Sequence, residues 1–316
     1  MARQRRPTVA PMAPLRPPPP PPAPFVGRAT DLAALVAQLD ERGVAVLTGV
    51  TGAGKTALLA ALAAQVRRPV EWIEVYAGLS DGSEALFWQV TRPLADLRPE
   101  PWQMLHQLAQ ATPPYPLAVR LQVALAAYAD VVSAPLLIID SAEHLGEREA
   151  VALLVALCDH VAAGRAGALH LAVAGRFLPY KLRPYSLPPL AGLDAPAVQA
   201  WATALRSPLA EAQLAALLVE TGGVPLALAD RLHSGVAHPL APESEARLWA
   251  MLAGLAPSER ELLVALTHDP DLATLPLERR ATLARLEALH LVSRGAEHTV
   301  SIHPMVHRFM IGQPIF

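Results

Sequence analysis

The sequence feature that most constrains this chain is an eight-residue segment, Gly49 to Thr56, with the sequence GVTGAGKT. It matches the pattern G-x-x-x-x-G-K-[ST] at every fixed position. Glycines in such a segment let the backbone approach phosphate oxygens closely and direct successive N–H groups at them. The apolar run before the segment predicts a buried strand, and the alanine- and leucine-rich run after it predicts a helix. This order predicts a phosphate-binding loop, in which Lys55 contacts the β- and γ-phosphates of a nucleotide and the Thr56 hydroxyl holds Mg²⁺.

The composition narrows the class of protein and its partners. The chain has 316 residues, 53% of them hydrophobic, and a net charge of −2 from 26 basic and 28 acidic side chains. This balance gives no general attraction to nucleic acid. No run of eighteen uncharged apolar residues occurs, so we expect no membrane span, and no apolar segment follows the basic N-terminal residues as in a secretory signal. The single cysteine, Cys158, excludes an internal disulfide framework, and we expect a cytoplasmic location.

Residues 1–24 differ from the rest of the chain because they are rich in proline. Pro17 to Pro22 is an unbroken run, which can neither continue a helix nor pair in the middle of a sheet. We therefore predict a disordered tail of polyproline II character. Such a tail is either a plain linker or a ligand for an aromatic-lined groove on a protein partner.

Residues 25–192 are predicted to form a parallel α/β sheet with helices on both faces, because apolar strand-like runs alternate with helical stretches. Asp140 follows four aliphatic residues, at the end of a predicted strand where ligands bind in open α/β sheets, so we expect it to hold Mg²⁺. Arg176 follows the next strand and could contact a γ-phosphate. The predicted strands are Val44–Thr48, Val70–Tyr76, Leu136–Asp140, Leu169–Ala174 and, as a short fifth strand, Ser186–Leu190.

Strand signals nearly vanish after residue 195. Helical patterns predict a small helical domain over residues 193–240. Two short segments rich in β-formers, beginning at Leu291 and Val300, are separated by a turn that contains Gly295. They predict a two-stranded wing after helices, and hence a winged-helix domain over residues 241–316.

Taken in order, these landmarks resemble the STAND class of P-loop NTPases, the signal-transduction ATPases that include NB-ARC and bacterial AP-ATPase proteins. The similarity covers residues 25–312 and implies a P-loop sheet of strand order 5-1-4-3-2, followed by a helical domain and a winged helix. The motifs that carry it are Phe25-Val-Gly-Arg28, Gly49–Thr56, Leu136–Leu145 (LLIIDSAEHL), Ala174-Gly-Arg176, Gly222–Leu228 (GVPLAL after the first glycine) and Ile302-His303-Pro304.

The resemblance also implies the ligands, ATP or ADP with Mg²⁺, and the residues that hold them. It implies that Pro225 packs on the base and that His303 contacts the β-phosphate of ADP. The residues implied to bind nucleotide are Val26, Gly27, Arg28, Gly49, Val50, Thr51, Gly52, Ala53, Gly54, Lys55, Thr56, Ala57, Pro225 and His303. Those implied to act in catalysis are Lys55, Asp140, Glu143 and Arg176, with Mg²⁺ held by Thr56 and Asp140.

Two residues depart from the family pattern. Ser141 stands where the family commonly has a second acidic residue, which leaves Glu143 as the nearest candidate to activate water. Pro304 replaces the aspartate that usually follows His303, a change that would weaken the contact with ADP.

The resemblance implies a signal-transduction switch that ADP locks at rest, that opens to self-associate when ATP is bound, and that hydrolyses ATP slowly. One alternative is an AAA+-type, DNA-associated ATPase that uses its winged helix. Residues 245–316 carry seven arginines against eight acidic side chains, so we do not expect nucleic acid as a partner. The other alternative is a nucleotide-binding scaffold that does not hydrolyse ATP and binds an unknown protein through its proline tail or its winged helix.

Overall fold

A computed structural model describes residues 18–76, 80–234, 252, 255–268, 276–288, 291–294, 300–302 and 306. Its largest unit is built on a four-stranded parallel sheet with the strand order β1-β4-β3-β2. The strands are short and parallel, so their carboxyl ends meet at the same edge of the sheet; β1, β3 and β4 are largely apolar, whereas β2 carries Glu71 and Glu74. The strands are β1 (Val44–Thr48), β2 (Val70–Glu74), β3 (Leu136–Asp140) and β4 (His170–Gly175).

Helices cover both faces of this sheet, as the alternation of elements predicts. Leu137 and Ile139 of β3 belong to one apolar cluster, while Leu136 and Ile138 belong to another on the opposite face. Alternate side chains of a strand point to opposite faces, so a strand that is apolar throughout requires cover on both sides. The helices of this part are α1 (Ala29–Arg42), α2 (Lys55–Gln65), α3 (Ser83–Thr91), α4 (Leu94–Leu97), α5 (Pro99–Gln110), α6 (Leu117–Ala129) and α7 (Arg148–Ala162).

The predicted fifth strand is present only as an isolated parallel bridge between Ser186 and Val46 of β1. The segment lies beside β1, in parallel orientation, and donates two hydrogen bonds to it. They run from Leu187 N to Val46 O at 2.9 Å and from Leu190 N to Thr48 O at 2.7 Å. Pro188 and Pro189 lie between these donors and have no N–H group, so the ladder cannot continue. The five-strand order 5-1-4-3-2 therefore stays a prediction.

A smaller helical part follows the sheet. Asp194 begins it as an N-cap whose side chain accepts a hydrogen bond from Ala197 N at 2.9 Å. Its helices are α8 (Ala195–Ala204), α9 (Glu211–Thr221) and α10 (Pro225–Ser234). In the described ranges, no helix is both long enough and apolar enough to cross a membrane.

The described C-terminal residues form two further helices and one antiparallel strand pair. They are α11 (Pro257–His268), α12 (Arg280–Ala288), β5 (Val292–Arg294) and β6 (Val300–Ile302). Their buried apolar side chains form what we call the C-terminal cluster: Leu252, Leu255, Leu262, Leu263, Leu266, Leu283, Leu286, Leu291, Val292, Val300 and Val306, with Val224 and Ala227 next to and within α10. The winged-helix assignment and the domain boundaries remain predictions, and His303 and Pro304 lie outside the described residues.

Arg28 joins the start of the folded chain to the phosphate-binding loop. Its side chain is only 7% exposed, and Nη2 donates to Ala53 O at 2.9 Å and to Ala191 O at 2.6 Å. Nη1 forms an ion pair with Asp31 at 3.0 Å. A planar guanidinium can serve three acceptors at once, which a lysine ammonium at the same place could not reach together. Arg28 therefore fixes the loop against the segment that follows the sheet.

Glu71 lies on β2, at the edge of the described sheet. Burial raises the pKa of Glu71 to about 7, the nearby Arg92 opposes this shift, and Asp96 adds to it. A carboxyl group whose pKa is raised by folding favours the folded state at low pH, and this contribution is lost as the pH rises from about 4.5 to about 7.

We predict that Glu71→Gln raises the melting temperature at pH 8, where the wild-type carboxylate is charged in its buried position. At pH 4.5 the variant and the wild-type protein should melt at nearly the same temperature, because both side chains are then neutral. Thermal unfolding across this pH range measures the difference, with the exposed Glu41→Gln as the control. A gain that does not depend on pH would contradict the buried charge as the cause.

We also predict that Arg28→Lys lowers the free energy of unfolding by about 1–3 kcal/mol, the usual range for hydrogen bonds of a charged group to buried carbonyls. Denaturant titration measures the change, and the exposed Arg165→Lys is the matched control. Equal stabilities of the two variants would show that the bonds to Ala53 and Ala191 do not hold the loop.

Candidate functional site

The GVTGAGKT segment forms the turn between β1 and α2, at the carboxyl edge of the sheet. Gly52 and Gly54 adopt left-handed backbone conformations, with φ of +82° and +93°, which non-glycine residues rarely adopt. A Cβ added at Gly52 would also lie 2.7 Å from Leu226 Cβ of α10. The glycines are thus required by the fold of the loop and by its packing against α10, in addition to any role toward phosphate.

Lys55 is the first residue of α2, and its ammonium group turns back over the loop. Nζ donates to Gly49 O at 2.8 Å and to Val50 O at 3.0 Å. Burial lowers the pKa of Lys55, the Glu143 and Asp140 carboxylates oppose this shift, and Arg176 adds to it. The ammonium therefore lies in a pocket of mixed charge, and its hydrogen bonds to the described part of the chain go to these two carbonyl oxygens.

Thr56 and Asp140 connect the loop to the neighbouring part of the sheet. Thr56 Oγ1 donates to Asp140 Oδ2 at 2.7 Å, and the backbone N–H of Ser141 donates to Asp140 Oδ1 at 2.9 Å. Burial raises the pKa of Asp140, which is 3% exposed, and these two hydrogen bonds oppose the shift. The pair brings a carboxylate and a hydroxyl together at the end of β3.

This donor set fits Mg²⁺. Mg²⁺ prefers oxygen ligands and is usually bound by one or two protein side chains, with waters and substrate phosphates completing its shell. Thr56 and Asp140 supply such oxygens. Within the described residues, no group of three or more His, Cys, Asp or Glu side chains could hold a metal ion alone, so any ion here would depend on a phosphate ligand.

Glu143 and Arg176 form a buried ion pair beside this site. Arg176 Nε donates to Glu143 Oε1 at 2.8 Å, and the two side chains are 14% and 7% exposed, in that order. Glu143 Oε2 is buried without a hydrogen-bond partner in the described structure. It packs against Gly175, where an added Cβ would lie 3.1 Å from it. A buried carboxylate oxygen without a partner is costly, which makes this atom a candidate to receive a ligand or a water molecule.

A cavity of about 400 Å³ extends from the loop to the helical part. One end is polar, with Lys55, Thr56 and Thr51. The remaining lining is mostly apolar and comes from α8, α10 and the segment before α1. The lining residues are Pro22, Pro24, Phe25, Val26, Arg28, Thr51, Gly52, Gly54, Lys55, Thr56, Ala57, Leu193, Trp201, Pro225, Leu226 and Ala229.

The structure separates the sequence-predicted residues into groups. Nine of the predicted nucleotide-binding residues line the cavity: Val26, Arg28, Thr51, Gly52, Gly54, Lys55, Thr56, Ala57 and Pro225. Gly27, Gly49, Val50 and Ala53 do not appear in the lining. Gly27 packs so closely on α8 that an added Cβ would lie 2.3 Å from Ala197 Cβ. His303 lies outside the described residues, and the predicted roles of all these side chains remain predictions.

Several lining residues were not singled out in the sequence. Pro22 and Pro24 belong to the segment predicted as a disordered tail, yet they line the cavity. Trp201 and Leu193 come from the helical part, in a stretch without a recognisable motif. Two lining residues carried a signal that could have identified them: Leu226, in the GVPLAL motif with Pro225, and Phe25, in the motif Phe25-Val-Gly-Arg28.

Comparisons with known proteins agree with this geometry. The model of a family described as AAA domain matches residues 38–176, a range that includes the phosphate-binding loop, Asp140 and Arg176. No curated protein matches the chain.

Two solved structures share the fold. A Walker-type ATPase of Pyrococcus abyssi is 16% identical, with a TM-score of 0.65, over 91% of this chain and 96% of its own. A Signal Transduction ATPase with Numerous Domains (STAND) protein of Pyrococcus horikoshii, with a tetratricopeptide repeat sensor, is 19% identical, with a TM-score of 0.52. That similarity covers 92% of this chain and 43% of the Pyrococcus horikoshii protein. The chain therefore has the fold of P-loop ATPases, with a match to the AAA domain in residues 38–176.

Proposed function

We propose that the chain is a nucleotide-dependent switch that binds ATP and ADP with Mg²⁺ and hydrolyses ATP slowly. The observation that carries this proposal is the convergence of charged and polar groups around Lys55. Its ammonium group is close enough to Asp140, Glu143 and Arg176 for all three to affect its pKa. Beside it, the Thr56 hydroxyl donates a hydrogen bond to Asp140. These are the groups that phosphoryl transfer requires: a cation, a metal-holding pair, a base and a second cation.

We infer adenine as the base from the resemblance to ATP-binding P-loop proteins. The cavity offers apolar side chains to a purine ring, among them Val26, Trp201 and Pro225. Arg28 lines the cavity but already donates to two backbone carbonyls and Asp31.

Lys55 would change partners when a phosphate enters. It donates to two loop carbonyls in this structure, and a phosphate oxygen is a stronger acceptor for an ammonium group than a neutral carbonyl. Added negative charge would also oppose the effect of burial on its pKa. The lysine is thus held next to the site and can turn toward a phosphate without a change in the backbone.

Thr56 and Asp140 would hold Mg²⁺ beside the phosphates. When bound, the ion supplies positive charge that neutralises the oxygens of the transferred group. Asp140 must be ionised to serve it, so the hydrogen bonds from Thr56 and Ser141, which favour the carboxylate, prepare it for this role.

The Glu143–Arg176 ion pair supports slow hydrolysis. Glu143 would accept the proton of the attacking water or orient that water, but one of its oxygens is bonded to Arg176. Ser141 offers no carboxylate in its place. The second candidate is a scaffold that binds nucleotide without hydrolysis. The same ion pair favours this candidate, because Glu143, the one base that we propose, is engaged by Arg176.

The switch would connect the nucleotide to the C-terminal part of the chain. Described residues of that part form one apolar cluster with Val224 and Ala227, and Val50 of the loop and Phe177, next to Arg176, pack against this cluster. ADP would favour the packed arrangement, ATP would favour its release, and the uncovered surface would serve self-association. A nucleotide can drive this change only as far as its affinities for the two arrangements differ.

We predict that Lys55→Ala weakens binding of ADP and ATP by about 10- to 100-fold, because a charge-assisted hydrogen bond contributes about 1.5–3 kcal/mol. Titration with a fluorescent nucleotide measures the affinity. Lys181 is exposed and lies away from the cavity lining, so Lys181→Ala is the matched control. Unchanged affinity in Lys55→Ala would remove the lysine from the site.

We further predict that Glu143→Gln keeps nucleotide affinity and slows single-turnover ATP hydrolysis by at least about 100-fold, the lower limit for loss of a general base. The exposed Glu149→Gln should hydrolyse ATP like the wild-type protein. If the wild-type protein itself turns over no ATP while binding it stoichiometrically, the scaffold is the correct function.

A further inference from the structure

Two residues that adjoin the phosphate-facing groups also contact the C-terminal cluster. Val50 is the second residue of the GVTGAGKT loop, and Phe177 directly follows Arg176. Both are half-buried, and both pack against the C-terminal cluster. This cluster joins Val224 and Ala227 to residues of the C-terminal segment, so the side chains packed against it include residues whose backbone belongs to the phosphate site, and we call Val50 and Phe177 together the docking surface.

Each residue of the docking surface is joined to a group that a phosphate would attract. Lys55 Nζ donates to the carbonyl of Val50 itself, at 3.0 Å. Arg176 donates to Glu143 at 2.8 Å and precedes Phe177 in the chain. A phosphate that binds Lys55 would remove the hydrogen bond from Lys55 to the Val50 carbonyl. A phosphate that attracts Arg176 would displace the residue that directly precedes Phe177.

Phe177 also contacts a charged side chain of the C-terminal segment. The guanidinium of Arg285, on α12, lies 5.4 Å from the centre of the Phe177 ring, within the range of a cation–π interaction. Arg285 Nε lies 3.5 Å from Glu259 Oε1, and Glu259 Oε2 accepts a hydrogen bond from Ala256 N at 2.8 Å, at the start of α11. One ring thus connects the loop after β4 to both described helices of the C-terminal segment.

We propose that the Phe177–Arg285 contact couples the phosphate site to the C-terminal segment, with Phe177 as the positioning residue. This inference rests on the proposed function, since it takes the phosphate site to hold ADP or ATP. Packed contacts of this kind have discrete arrangements and deform little between them. A small displacement of Arg176 therefore separates the ring from Arg285 and loosens α11 and α12.

The experiment compares amide hydrogen exchange in α11 and α12 with ADP–Mg²⁺ and with a non-hydrolysable ATP analogue and Mg²⁺, on the full chain. In the wild-type protein, exchange in these helices should be slower with ADP than with the analogue. Phe177→Leu keeps an apolar side chain and removes the ring, and Arg285→Ala removes the cation from the other side. With ADP, each should raise the exchange rate by about two- to fivefold, the size of an exposed cation–π contact.

The chain offers a matched control within the same loop. Arg183 lies 5.8 Å from the centre of the Tyr180 ring, in a second cation–π contact of exposed side chains that does not belong to the C-terminal cluster. Tyr180→Leu should leave exchange in α11 and α12 at the wild-type rate with either nucleotide. Adding Phe177→Leu to Arg285→Ala should raise the exchange rate little further, because Arg285→Ala has already removed the contact with the ring.

The outcomes separate this inference from the proposed function. If the wild-type protein responds to the nucleotide and both Phe177→Leu and Arg285→Ala respond equally, the coupling through this contact is wrong and the switch stands. If the wild-type protein binds both nucleotides without a difference in exchange, the coupling is overturned while nucleotide binding stands. If it binds neither nucleotide, the proposed function fails, and the inference fails with it.

Discussion

The hydrogen bond from Thr56 to Asp140 is the interaction on which the site depends. It joins the first turn of α2, the helix that comes after β1 in the chain, to the end of β3. The two residues are 84 positions apart in sequence, and β4 lies between β1 and β3 in the sheet. The bond orients a carboxylate that burial would otherwise tend to neutralise. Because Asp140 is almost fully buried, its position is set by the sheet. The sheet in turn is specified by strands that are apolar on both faces.

The same sheet edge explains why hydrolysis is expected to be slow. Glu143 lies just after β3 and Arg176 just after β4. Neighbouring parallel strands therefore bring a negatively charged and a positively charged side chain together. Their ion pair satisfies most of the charge that each brings into a buried place. It also keeps the carboxylate from acting freely on a water molecule. Under the proposed function, these two side chains would be paired with each other in the resting protein until a phosphate competes for them.

The sequence predicts the parts of this structure that local patterns determine. The glycine-rich loop, the strand that ends at Asp140 and the helical part after residue 195 all follow from short motifs and apolar periodicity. The bond from Arg28 to Ala191 spans 163 residues, and no local pattern indicates it. The fifth strand was predicted from its apolar residues, but Pro188 and Pro189 prevent a continuous ladder. Pro22 and Pro24 line the cavity, which the proline-rich composition does not indicate, because composition does not show which surface a proline segment meets.

The measurement that tests the central claim most directly is the identity of the nucleotide carried by the purified protein. The protein is purified, denatured, and its released small molecules are separated by chromatography against nucleotide standards. The account predicts ADP in stoichiometric amount, or, after the protein is stripped, tight binding of added ADP–Mg²⁺ that competes with ATP. A protein that releases no nucleotide and binds neither ADP nor ATP with Mg²⁺ would contradict it.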